Sequence, residues 1–355
     1  MKKKIMHLFT SNIYSGAENV AITIIDKFKD KYSFIYVCKE GKIEEILKKM
    51  NINYIALNTV NYISLKKIIT HYKPDLIHAH GYTTSVLCSL ICKNIPYISH
   101  LHNNKLWIKN LNIKSLLYLN AGKKAKQILT VSNSIKNEYI FSDKLKDKII
   151  NIGNPVSYEK IKEQITREHV EKKYDICCVA RITKQKNPHK FIKIISLVKE
   201  KYPDIQAIWV GDGELKEDSI KYANSLGIKD NINFLGFKKN PYEYMNLSKL
   251  FVLTSDWEGY GLVAFEALSL GIPAIVSKVG GLPDIVDDSC GNLCITENEF
   301  VDSIVDLLKN DKKIKQKSSA AILKARKLDN TKIYFGILEK TYNKLLNWRR
   351  IILWI

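Results

Sequence analysis

The chain lacks any Cys-x-x-Cys pair. Its seven cysteines, Cys38, Cys88, Cys92, Cys177, Cys178, Cys290 and Cys294, are scattered and odd in number. That excludes a zinc ribbon and a fully paired disulfide framework. It fits a reducing cytosol in which thiols serve as small core residues, and no metal site is expected from them. No Asp-x-Asp occurs, so one compact carboxylate pair for a divalent cation is missing. No uncharged apolar run reaches the roughly 20 residues of a spanning helix. Met1-Lys2-Lys3-Lys4 begins like a signal segment, but the apolar stretch behind it, residues 5–9, is too short for one and reads as a first strand. A soluble or peripheral protein is expected.

Arginine is absent from residues 1–155, which hold 24 Lys against 10 Asp and Glu, a charge of +14 within a total of +20. A basic half suits nucleic acid, an anionic membrane or an anionic substrate. Compositional drift in a chain rich in Ile, Asn and Tyr is the plainer reading. At 355 residues and 46% apolar, the chain suits two globular domains.

Apolar runs alternate with helix-period segments. Strands are expected over 5–9, 34–38, 54–57, 75–80, 97–101, 127–131 and 149–152, with helices between them. Residues 156–173 are polar and read as a connection. Strands over 175–180, 205–210, 232–236, 251–254 and 274–277 then start a second set. This βα alternation calls for parallel, doubly wound sheets. From residue 300 the chain is helical and basic. It ends in an amphipathic helix over 334–355 whose tip, Trp348-Arg349-Arg350 to Ile355, has the Trp and Arg favoured at a membrane interface.

The densest signal lies in residues 251–286, ordered strand, glycine loop, helix, strand, glycine loop. Ligands of open α/β sheets bind beyond the strands' carboxyl ends. There Gly259 and Gly261 leave backbone N–H groups bare for a phosphate, and Glu258 and Glu266 accept hydroxyl hydrogens. Eight positions apart, the two carboxylates fit one helix face. An acidic loop residue and a solvated helix Glu are the simpler alternative. Arg181 and Lys186, at a strand end before a helix, suit one diphosphate. A solvated basic loop is the alternative. His80 ends one strand and His102 follows the next, so both face the same edge. A lone histidine is more often structural.

Glu258-Gly259-Tyr260-Gly261-Leu262-x-x-x-Glu266, followed by Gly280-Gly281-Leu282-Pro283-Asp284-Ile285-Val286, resembles the donor-site signature of family 4 glycosyltransferases. Ser15-Gly16-Ala17-Glu18, the strand leading to His102, Val131-Ser132-Asn133-Ser134, Asn154-Pro155, Arg181 to Lys186 and Gly211-Asp212-Gly213-Glu214 are similar to the family in the same order. The likeness runs from residue 5 to about residue 327. Ser15, Ala180 and Asn187 stand where the family has glycine.

The resemblance implies an α/β GT-B fold with two Rossmann-like domains facing a cleft. Residues 1–155 with a helix from about 331 to 355 would bind the acceptor, and 156–330 the donor. It implies a retaining, metal-independent enzyme with no cofactor, moving a hexose or N-acetylhexosamine from a nucleotide sugar, UDP by family frequency. The acceptor is a saccharide, often lipid-linked, in surface-polysaccharide synthesis. Arg181 and Lys186 would hold the diphosphate and Glu266 the ribose. Glu258, with N–H groups near Gly259, Tyr260, Gly261 and Leu262, would hold the sugar. Gly16 and Gly211 would lie by the donor, and His80 and His102 near the reacting carbon. An enzyme peripheral to the cytoplasmic face of an anionic membrane is expected, with no nucleic-acid partner. A GT-B sugar-nucleotide epimerase and a basic nucleic-acid binder are the rival readings.

Overall fold

The computed structural model describes residues 2–165 and 171–352, with side chains through Asn347. The chain divides into two compact units, Met1–Pro155 with Thr331–Ile355, and Val156–Asn330. The first runs β1 (Lys3–Leu8), α1 (Gly16–Phe28), β2 (Tyr32–Lys39), α2 (Ile43–Lys49), β3 (Tyr54–Leu57), α3 (Tyr62–Tyr72), β4 (Leu76–His80), α4 (Tyr82–Ile91), β5 (Tyr97–Leu101), α5 (Ile113–Lys124), β6 (Gln127–Thr130), α6 (Asn133–Glu138) and β7 (Ile149–Asn151). Its strands lie parallel in the order β3-β2-β1-β4-β5-β6-β7.

The second unit runs α7 (Tyr158–Lys162), β8 (Tyr174–Val179), α8 (Pro188–Lys201), β9 (Ala207–Val210), α9 (Lys216–Ser225), β10 (Ile232–Gly236), α10 (Tyr242–Asn246), β11 (Ser248–Leu253), α11 (Leu262–Ser269), β12 (Ala274–Ser277), α12 (Leu282–Ile285), β13 (Gly291–Cys294), α13 (Glu297–Leu308) and α14 (Asp311–Leu328). Its parallel sheet is ordered β10-β9-β8-β11-β12-β13. Both orders reverse direction beside the first strand, between β1 and β4 and between β8 and β11. Such a switch point opens the crevice in which doubly wound folds bind ligands.

Helix α15 (Thr331–Ile352) returns to the first unit. Tyr334, Phe335, Leu338, Tyr342 and Leu345 are buried in that unit's core. Their spacing of one, three, four and three is a helical stripe. Phe335 packs edge-on to Phe28 at 5.7 Å, and Tyr342 to Tyr32 at 5.7 Å. Each burial contributes about 2 kcal/mol, so the stripe fixes where the helix lies. The side chains from Trp348 onward, on which the membrane-interface alternative rests, lie outside the described residues, as do residues 166–170 of the connection.

Sequence patterning misses three elements. Helix α9 buries only Ser219 and Ala223, so it has no apolar stripe. Helix α12 has four residues, too few for a period. Strand β13, Gly-Asn-Leu-Cys, has weak strand formers. It closes on β12 because Gly291 has no Cβ, which would sit 1.8 Å from the Ala274 carbonyl oxygen.

Side-chain capping differs among the helices. Asn61 with Ser64, Asn112 with Ser115, and Thr296 with Glu299 form capping boxes on α3, α5 and α13. Helices α1 and α11 have no side-chain cap. Each follows a switch-point strand, and its uncapped N–H groups leave room for an anion.

Candidate functional site

In the second unit the loops after β8, β9, β11 and β12 are bound to one another through backbone. A Cβ on Gly211 would lie 2.0 Å from the Ala180 carbonyl oxygen, and one on Gly213 would lie 2.2 Å from that of Ile182. The Gly211-x-Gly213 loop therefore packs directly on the turn that carries Arg181, and Gly211 positions that arginine. Gly280, at φ +57°, would put a Cβ 1.9 Å from the Glu258 carbonyl oxygen, and Gly281 would put one 2.6 Å from that of Gly259. The two glycine motifs of the signature thus interlock, and any side chain at Gly280 would push Glu258 out of place.

The Arg181 loop is tied to the Glu258 loop by several hydrogen bonds. Thr254 Oγ1 donates to the Lys186 and Asn187 carbonyls, both at 3.1 Å. Gln185 Nε2 donates to the Trp257 carbonyl at 2.9 Å, and Asn187 Nδ2 to Asp256 Oδ1 at 2.9 Å. Lys186 forms an ion pair with Glu258, whose Oε1 also accepts from Ser255 Oγ at 2.7 Å. The Lys186 and Glu258 side chains are 14% and 7% exposed. Arg181 is exposed and forms no ion pair with a described residue.

Two departures from the family pattern have physical explanations. Asn187 sits at φ +47°, the left-handed region open to glycine and asparagine, and its side chain caps α8 by accepting from the Lys190 N–H. Ser15 sits at φ −146°, which any residue adopts. Its hydroxyl turns to Glu18, and Gly16 opens α1.

The two carboxylates do not share a helix face. Gly261, at φ +92°, ends the loop and α11 begins after it, so helical spacing does not extend back to Glu258. Glu258 faces Lys186, whereas Glu266 lies on α11 with Tyr242 Oη at 3.4 Å. Burial pushes Glu266 up to about 7, opposed by the Tyr242 hydrogen bond, so it titrates near neutrality. Tyr260 is half-buried, and burial pushes it up to about 12.

The first unit gathers five histidines at its switch point. His7 lies on β1, His78 and His80 on β4, and His100 on β5, with His102 just after it. Residues two apart on a strand share a face, and the parallel register sets His7 beside His78 and His80 beside His100. Their rings form one unbranched hydrogen-bonded chain. His102 Nε2 meets His80 Nδ1 at 2.8 Å, and His80 Nε2 meets His7 Nδ1 at 2.9 Å. His7 Nε2 meets the Tyr342 hydroxyl at 3.3 Å, which meets His78 Nδ1 at 2.7 Å. His78 Nε2 then meets His100 Nδ1 at 3.1 Å. Burial pushes His7 and His102 down to about 3. Burial and neighbouring imidazoles push His78, His80 and His100 well below the usual histidine range. The cluster is neutral at pH 7.

The residues singled out from sequence thus fall in two groups. Arg181, Lys186, Gly211, Glu258 to Leu262 and Glu266 sit at the carboxyl edge of the second sheet. Gly16, His80 and His102 sit at that of the first. His7, His78, His100 and Tyr342 were not singled out, although the alternation His78-Ala79-His80 and His100-Leu101-His102 is a visible period-two signal. The seven cysteines are free thiols. Cysteine spacing says nothing of the histidines.

Two Rossmann-like units, with a terminal helix that returns to the first, form a GT-B fold. The family model "Glycosyltransferase Family 4" matches residues 15–160 and "Glycosyl transferases group 1" matches residues 159–326. The chain belongs to the family 4 glycosyltransferases. An uncharacterized glycosyltransferase of Methanocaldococcus jannaschii is 31% identical over 59% of this chain and 57% of its own length. The Escherichia coli UDP-Gal:alpha-D-GlcNAc-diphosphoundecaprenol alpha-1,3-galactosyltransferase is 26% identical over 86% of this chain and 84% of its own. Among solved structures, Anabaena HepE in complex with UDP-glucose superposes with a TM-score of 0.82 at 20% identity, covering 96% of this chain and 99% of that one. Among the described residues, no helix is long and apolar enough to cross a membrane.

Proposed function

We propose that the protein moves a hexose or N-acetylhexosamine from a UDP-sugar to a lipid-linked saccharide, with retained configuration and without a metal, in the synthesis of a bacterial surface polysaccharide. The observation that carries this reading is the interlocked set of Arg181, Lys186, Glu258 and the uncapped start of α11. Cations and bare N–H groups beside carboxylates suit a ligand with both a diphosphate and hydroxyls. The named donor and acceptor of the Escherichia coli relative, and the UDP-glucose bound to Anabaena HepE, support the choice of UDP and of a diphosphate-linked lipid.

In this reading Arg181 and Lys186 stabilise the diphosphate as it leaves, supplying the charge that Mg²⁺ supplies elsewhere. Glu258 and the N–H groups from Gly259 to Leu262 hold the sugar, with Tyr260 beside them. Gly16 lies by the phosphates, and His80 and His102 lie near the reacting carbon. The leaving phosphate oxygen takes the proton of the acceptor hydroxyl on the face it departs from. The new bond therefore forms on that same face.

Glu266 binds the ribose hydroxyls, and only as a carboxylate do both its oxygens accept from them. Because its protonated form persists up to about pH 7, donor affinity rises with pH through neutrality. Calorimetry with UDP-glucose should show about tenfold weaker binding at pH 6 than at pH 8. The slope should vanish in Glu266→Gln, with affinity lowered about tenfold or more at pH 8. An unchanged affinity in that variant would remove the ribose assignment.

A surface of the first unit supports work at an anionic membrane leaflet. Helix α5 is apolar on two sides: it buries Ser115, Tyr118, Leu119, Ala121 and Gly122 and exposes Ile113, Leu116 and Leu117. Leu106 and Leu111 extend this patch, with Leu111 and Ile113 at 68% and 76% exposure. Lys105, Lys109 and Lys114 are exposed around it. Apolar side chains ringed by lysine suit insertion at the headgroup boundary, and each lysine near an anionic surface adds about 1 kcal/mol, screened by salt. The expected result in flotation is binding to anionic vesicles at low salt, loss at high salt, and loss at any salt in Leu116→Ser/Leu117→Ser. Absence of binding to anionic vesicles at low salt would remove the membrane reading and leave the transfer untouched.

A further inference from the structure

We propose that His80, His100 and His102 form a binding site for a transition-metal ion such as Zn²⁺, with His7, His78 and Tyr342 as the hydrogen-bonded shell behind it. One ring nitrogen from each of the three histidines lies within 4.8 Å of the other two. A tetrahedral ion with Zn–N bonds near 2.0–2.1 Å sets its ligand nitrogens about 3.3 Å apart. The 2.8 Å contact of His80 Nδ1 with His102 Nε2 would need to open by only about half an ångström to reach that spacing.

His100 Nε2 gives an independent indication. It is buried and has no hydrogen-bond partner among the described residues. Each link in the histidine chain needs one hydrogen, and five neutral imidazoles with one tyrosine supply one more than the links require. When every hydrogen points away from His100, its Nε2 carries a lone pair that no described residue satisfies. A buried, unpaired imidazole nitrogen beside two others is the form a metal ion takes up.

The shell behind the site is also built. With the ion on His80 Nδ1, the opposite nitrogen donates to His7 Nδ1 at 2.9 Å. With the ion on His100 Nε2, the opposite nitrogen donates to His78 Nε2 at 3.1 Å. Both routes end on the hydroxyl of Tyr342. Such outer partners fix the tautomer and orientation of metal-bound histidines. A second triad, His7, His78 and His80, is fully enclosed, whereas the edge of His102 reaches solvent and gives the ion an entry. Three histidines leave a fourth coordination position open. The ion would occupy His102, which the transfer reading places by the sugar. On that reading alone, bound Zn²⁺ inhibits transfer.

The test is calorimetric titration of Zn²⁺ into untagged, chelator-stripped protein, paired with the visible spectrum of the Co²⁺-loaded form. One ion per chain is expected, with the strong absorption of four-coordinate Co²⁺. His100→Ala should weaken binding about 100-fold and His71→Ala, at an exposed position on α3, not at all. A site that binds no Zn²⁺, or binds it equally well after His100→Ala, overturns the proposal. Should His100→Ala not fold, X-ray absorption of the zinc-loaded native protein decides. Three nitrogen neighbours at about 2.0–2.1 Å support the site, and an all-oxygen shell rejects it. Zinc binding without inhibition would leave the site intact and remove His102 from the transfer reading.

Discussion

Replacing Arg181 by alanine is expected to lower turnover about 100-fold or more, comparable to removing an oxyanion-stabilising donor. The guanidinium is exposed, forms no ion pair with a described residue, and rides on a turn that Gly211 and Gly213 hold in place. No described residue pairs with its charge, so that charge is available to a leaving diphosphate. For the same reason the substitution should leave thermal stability within about 0.5 kcal/mol, as for other exposed positions. Arg181→Lys should recover part of the loss, because the charge returns without the two-pronged grip. Steady-state kinetics separate the outcomes. A turnover within threefold of wild type would show that Arg181 does not stabilise the departing group.

Lys186→Ala should have two large effects with separate origins. The ammonium is 14% exposed and pairs with Glu258 at 7% exposure, so its loss leaves a buried carboxylate held by little more than Ser255. Removing one partner of a buried pair typically costs about 3 kcal/mol or more. Adding Glu258→Gln removes the orphaned charge and should restore most of the stability. Turnover should stay low in the double variant, since both ligand contacts are then gone. Urea unfolding and kinetics on the four proteins of this cycle test the point. Recovery of activity along with stability would make the pair purely structural.

The arrangement of the fold was legible because the buried parallel strands other than β13 are short apolar runs and the glycine loops after β9, β11 and β12 mark strand ends. The order of loops along the chain was also legible, and so was the cationic pair after β8. What joins the loops was not. Lys186 and Glu258 are 72 positions apart, and only the adjacency of β8 and β11 brings them together. The need for glycine at 280 lies in the carbonyl of Glu258, which no local pattern announces. The histidine cluster depends on the neighbours β1, β4 and β5 and on a tyrosine 264 positions beyond His78. The exposed apolar face of α5 was hidden because its leucines read as an ordinary core stripe. In the structure Tyr118 and Leu119 are buried, whereas Ile113, Leu116 and Leu117 stay exposed.

The most direct measurement incubates the purified protein with a panel of UDP-sugars and a GlcNAc-diphosphate lipid, in excess EDTA, and reads the anomeric configuration of the product by NMR. The expected result is consumption of one donor only when the acceptor is present, giving a product that keeps the donor's anomeric configuration, at a rate that added Mg²⁺ leaves unchanged. Donor conversion at the same rate without acceptor, or transfer that appears only after Mg²⁺ is restored, or an inverted product, would contradict it.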